Sequence, residues 1–166
     1  MVKMKSFLIL LILIAAGMGA FFILSQNEEK RVKKQLSLLA KAISKEAGET
    51  VFKMDQKMKT IGSLIDDPCD LQIPAYSLSG SFPRDEIVGY AARGRLHASE
   101  LRLTFHDLRV SFPGQDEADV HLTARLTGRW KTGETVHEAH EIRCHLRKVE
   151  KKWLLSRVEV VEVLKR

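Results

Sequence analysis

The hydrophobic pattern changes character twice along the chain. From Ser6 to Leu24 no charged residue interrupts the sequence and no polar face recurs, which is the pattern of a helix with apolar surroundings on every side. Beyond Asn27 the apolar positions recur with a helical period. Val32, Leu36, Leu39 and Ile43 mark one face of a helix that Asn27, Glu28 and Glu29 cap and that runs to about Ala47. Gly48 ends it, and Thr50 caps a second helix with Val51, Met54, Met58, Ile61 and Ile65 on its inner face. Asp66-Asp67-Pro68 closes that helix, because the residue before a proline is driven out of the helical region. These two helices occupy 28–66. A short extended piece over Asp70–Ser79 follows, and Pro83 opens a third helix over 83–97 with Ile87, Tyr90 and Ala91 turned inward.

From about residue 100 the period becomes two. Leu101, Leu103 and Phe105 alternate with polar residues, then Leu108, Val110 and Phe112 continue on the other parity. Such a phase slip, here at His106-Asp107, is the signature of a β-bulge. Ala118, Val120, Leu122, Ala124 and Leu126 alternate cleanly after the Pro113-Gly114 turn. A further turn at Lys131-Thr132-Gly133 leads into Val136–Val149, and a last strand begins at Trp153. Hairpin-length connections make 100–165 an antiparallel meander of four strands. An antiparallel sheet needs cover for its apolar face, and the preceding helices supply it. The predicted class is therefore α+β, a curved and mainly antiparallel sheet wrapped on three helices.

This order resembles the nuclear transport factor 2-like superfamily. The stretches that carry the resemblance are Phe105–Val110, Val120–Gly128, Leu146–Val149 and Trp153–Val161. The likeness is to a membrane-anchored bacterial subgroup without a settled activity. It implies a cone with an internal pocket, within a superfamily that includes isomerases, dehydratases, ligand-binding modules and interaction domains, so the fold alone does not choose among them.

Charge and length refine the picture at the amino end. The nineteen residues 6–24 would span about 28 Å as a helix, close to a hydrocarbon core. Lys3 and Lys5 before them also suit a cleaved signal peptide, but Phe21-Phe22-Ile23-Leu24 extends the run past the small residues where cleavage would fall. We read a short basic tail (1–5), a transmembrane anchor (6–24) and one domain (25–166). The short basic tail suits a signal-anchor that exports the rest of the chain, placing the domain in the periplasm beside a bacterial inner membrane. Lys30, Arg31, Lys33 and Lys34 after the span argue for the opposite, cytoplasmic orientation.

Net charge is +6. Residues 28–60 hold nine Lys or Arg against five Asp or Glu, whereas 61–166 hold sixteen of each. The basic excess, with Lys30, Arg31, Lys33 and Lys34 in its first turns, thus belongs beside anionic lipid. A neutral body excludes a nucleic-acid interface. Two cysteines, Cys69 and Cys144, make no disulfide framework and read as buried thiols.

No catalytic motif is present. His137, Glu141 and His145 share a strand face but stand about 13 Å apart in succession, too far for one metal ion. His140 shares parity with Val136, Ile142, Cys144 and Leu146, and so faces the core. By analogy with the resemblance, Asp107 at the bulge, His140, and Tyr90 on the third helix form the candidate acid–base set. Arg125, Arg143, Arg147, Arg157, Glu159 and Glu162 suit cross-strand ion pairs. The last strand is apolar on both parities, Leu155, Val161 and Val163 against Leu154, Val158 and Val160, as a sheet-to-sheet homodimer would require. The favoured function from sequence is a membrane-anchored, non-enzymatic module that binds a partner protein or itself. The alternative is a small-molecule or isomerase-like pocket inside the cone. Neither needs a cofactor.

Overall fold

The computed structural model describes residues 26–163. The expected tail and anchor, 1–24, lie outside them. Among the described residues no helix is long and apolar enough to cross a membrane.

Helix α1 (26–43) is buried along the stripe that the sequence marks, with Val32 and Leu36 almost fully enclosed. It stops at 43 and not near Ala47, because Lys45 exchanges both backbone hydrogen bonds with Leu101 in the sheet. Helix α2 (Val51–Leu64) is capped by Thr50, whose Oγ1 accepts from the Lys53 amide at 3.3 Å. Ile61 and Leu64 are its buried residues, while Val51, expected on the inner face, is exposed. Strand β1 (Ile65–Ile73) follows without a break, so Ile65 is a core residue of the sheet rather than of the helix. A 3₁₀ turn (Pro74–Tyr76), with Ser77 in the left-handed region, returns the chain as β2 (Leu78–Phe82). The single extended piece expected over 70–79 is therefore a hairpin. Helix α3 (Arg84–His97) opens with Glu86 and Ile87 amides donating to the Pro83 carbonyl, so Pro83 precedes the first turn instead of forming it.

The long strands β3 (Ala98–Gly114), β4 (Glu117–Trp130), β5 (Thr135–Val149) and β6 (Lys152–Val163) form the expected meander. The sheet has six strands in the order β2-β1-β6-β5-β4-β3, and β1 runs parallel to β6. Ala118, Val120, Leu122 and Ala124 on β4 form the middle of the core, against helix residues Val32, Leu36, Leu39 and Ile61. β3 and β4 approach so closely at Gly128 that a Cβ there would collide with the Glu100 carbonyl oxygen, a place only glycine can fill.

Bulges decide which side chains face inward. The expected slip in β3 lies between His106 and Arg109, with Asp107 at φ +54°. Two more irregularities in the β5–β6 pairing follow His145 and Glu141. They bring Leu155, Val158 and Val160 opposite the inward positions Leu146, Cys144 and Ile142, so residues of both parities on β6 serve one core.

Candidate functional site

His140 stands on the inner face of β5, in a row with Ala124 of β4 and Phe105 of β3. Ala124, between the phenyl and imidazole rings in that row, ends at Cβ. Nε2 of His140 lies 3.0 Å from Oε2 of Glu138, two residues away on the same strand face. An ionised carboxylate only accepts, so Nε2 donates, and in the neutral ring the lone pair is then on Nδ1. That Nδ1 is buried and, among the described residues, has no partner. A buried acceptor left unsatisfied costs about 1–3 kcal/mol. The pair is thus a held imidazole with an unused acceptor turned into the protein.

The other two members of the expected set are elsewhere. Asp107 is exposed on the outer face, where its Oδ2 accepts from Thr123 Oγ1 at 3.4 Å. It borders a hollow of 70 Å³ with Arg109, His121 and Glu141. The bulge that brings Leu108, Val110 and Phe112 inward turns Asp107 outward, so the same slip that was legible in sequence removes it from the pocket. Tyr90 lies on the side of α3 toward the hairpin strand β2, edge-on to Phe82 with ring centroids 6.1 Å apart. Its hydroxyl donates to Glu86 at 2.6 Å, and that bond raises its pKa. Ile87, Val88 and Ala91 are the α3 residues that pack on the core. Only His140 faces inward, and its partner is Glu138, which strict alternation places two residues away on the same side.

The four basic residues after the expected span are on the surface of α1, or half-exposed in the case of Lys33. Arg31 pairs with Glu28 at 3.0 Å and Lys33 with Glu29 at 2.6 Å, while Lys30 and Lys34 make no ion pair among the described residues. Half of the basic cluster is therefore locally neutralised.

A buried polar cluster was not foreseen. Arg95, 1% exposed, donates to the carbonyls of Ala42 at 2.8 Å and Ile43 at 2.7 Å, and pairs with Glu49. Lys57 Nζ donates to Glu49 at 2.6 Å and to the Ser44 carbonyl at 2.8 Å. Burial alone would raise the Glu49 pKa, but the bonds from Lys57 and Arg95 outweigh it and hold it below the usual range. The cluster satisfies the open carbonyls at the end of α1 and is a structural clasp. Only a charged residue late in α3, where the apolar pattern fades, hinted at it.

The outer face of the sheet carries a polar groove of 660 Å³ that includes Asp66, Asp119, Arg143, His145, Arg147 and Arg157. The expected ion pairs of Arg147 and Arg157 form with β1 instead of the neighbouring long strands. Arg147 holds Asp66 at 2.7 Å and Arg157 holds Asp70 at 3.2 Å.

No protein-family model matches the sequence, and no curated protein matches it. Solved structures do. A protein of Kribbella flavida is similar over 85% of this chain and 93% of its own, at 10% identity and a TM-score of 0.72. The fold is nuclear transport factor 2-like. A proposed dehydratase from the nuclear transport factor 2-like family of Streptomyces avermitilis is similar over 84% of this chain and 99% of its own, at 18% identity and a TM-score of 0.65. A hexachlorocyclohexane dehydrochlorinase, LinA type 2, is similar over 85% of this chain and 88% of its own, at 12% identity and a TM-score of 0.67. At these identities the likeness concerns the nuclear transport factor 2-like fold, not the chemistry.

Proposed function

We propose that this chain is a membrane-tethered small-molecule-binding cone, in which the Glu138–His140 pair receives a hydrogen-bond donor of an otherwise apolar ligand. The observation that carries this reading is the buried, unpartnered Nδ1 of His140 beside a carboxylate that fixes its tautomer. The neighbours that include a dehydrochlorinase and a proposed dehydratase support a pocket over a purely structural cone. Binding is favoured over turnover because Asp107 and Tyr90 lie away from His140, leaving one acid–base pair where elimination chemistry would need a second group for the departing atom. The tether at 6–24 and the periplasmic placement belong to the proposal. Self-association through β6 has less behind it, since Leu155 and Val158 belong to the core, although Val161 is exposed.

Native mass spectrometry of the full-length chain, extracted from its own membrane in mild detergent, tests the reading. Wild type carries extra mass of a few hundred daltons per chain. His140→Leu loses that mass while unfolding no earlier than wild type, because the substitution removes an unsatisfied buried acceptor. Asp107→Asn keeps it. Undiminished ligand in His140→Leu would overturn the assignment.

A further inference from the structure

The groove on the outer face is a second, independent feature. Its acidic groups are mostly engaged: Asp66 with Arg147, Asp70 with Arg157, and Asp119 with His145 at 2.6 Å. The Asp119 contact is made by Nδ1, so in the neutral ring Nδ1 donates and Nε2 is left free to accept. His145 lines the groove, and among the described residues Nε2 has no partner. One row along, Arg143 pairs in register with His121 and Glu159. Among the described residues the Arg143 guanidinium makes neither a hydrogen bond nor an ion pair.

We propose that this groove binds a phosphate monoester or inorganic phosphate, with Arg143 donating to its oxygens and His145 Nε2 accepting its P–OH proton. The class follows from the mixture of donors and acceptor. A carboxylate or a phosphodiester, ionised at neutral pH, has no hydroxyl to give to Nε2, whereas a singly protonated monoester has both charge and hydroxyl. Glu159, opposite Arg143 on β6, is the like-charged group whose repulsion such a ligand must overcome. The monoester could be soluble or a lipid headgroup. The groove lies toward the end of β5 at which Lys148 and Trp153 hold Glu28, in the first turns of α1.

Titration calorimetry on the full chain in non-ionic detergent, with inorganic phosphate, methyl phosphate and dimethyl phosphate, tests the site. Phosphate and methyl phosphate bind and dimethyl phosphate does not. Arg143→Gln weakens binding about tenfold or more, the loss expected for a charge-assisted bond. Glu159→Gln tightens it. Asp119→Asn, which frees the imidazole to adopt the other tautomer, erases the preference for methyl over dimethyl phosphate, an effect that general loosening would not produce. Dihexanoyl phosphatidic acid binding more tightly than glycerol phosphate assigns the headgroup source, and equal affinity assigns the soluble one. No heat with phosphate up to about 10 mM, the limit of a weak site, or wild-type affinity in Arg143→Gln, overturns the proposal. Neither result bears on His140, which lies on the other face.

Discussion

Cys69 and Cys144 both face the core, and burial pushes each thiol up to about 12. Strand β6 lies between their strands, since Leu71 and Cys144 both pair with Val158. Two strand spacings come to about 10 Å, beyond disulfide reach. A thiol this poorly ionised is a weak nucleophile at neutral pH. Iodoacetamide is therefore expected to leave the native chain unlabelled and to modify both cysteines in guanidinium, which mass spectrometry reads directly. Rapid labelling of the folded chain would contradict the burial described. Their sequence spacing left pairing open, and the intervening strand closes the question for this fold.

Individual elements end where polar groups find partners. Helix α1 stops because Arg95 takes its last carbonyls, Lys57 takes that of Ser44 just beyond it, and Lys45 joins β3. Glu49 is the only carboxylate that Arg95 and Lys57 pair with among the described residues. Glu49→Gln would leave a cation, 1% exposed in the case of Arg95, without its counter-charge. It is expected to destabilise the domain by about 3 kcal/mol, typical of a broken buried pair. The Glu49 pKa is depressed in the folded chain, so its contribution is complete above the unfolded value near 4.5 and is lost as pH falls through the lower folded value. Chemical denaturation at pH 7 and in that acidic range reads both effects. The Glu49→Gln penalty shrinks in acid, and an equal penalty at both pH values would sink the assignment.

For the molecule as a whole, α1 is tied to the far end of the sheet as well. Trp153 Nε1 donates to Glu28 at 2.7 Å and Lys148 reaches the same oxygen at 3.1 Å. The Trp153 ring also packs on Phe112 and under the Lys148 ammonium. This joins the element nearest the expected anchor to both the β5–β6 hairpin and β3. Glu28→Ala is expected to leave a buried indole N–H unpaired, costing about 1–3 kcal/mol, and to speed amide exchange in the first turns of α1 ahead of its last turns. Uniform exchange along α1 in the variant would show that the tie is not local.

Alternation and period determined which residues build the core of this protein, because a helix stripe and a strand face must be apolar wherever they meet the same interior. Helices α1 to α3, the four long strands and the β3 bulge were all visible in that pattern, as was the inward direction of His140. The β1–β2 hairpin was hidden by its few apolar positions, with Leu78 and Phe82 only half-buried. Tertiary structure decided everything that depends on which strand neighbours which. It placed β1 beside β6 and gave Asp66 and Asp70 to Arg147 and Arg157. It turned Asp107 out by the very bulge that marked it, and folded both parities of β6 into one core. Those outcomes rest on contacts between residues far apart in sequence, about which a local period carries no information.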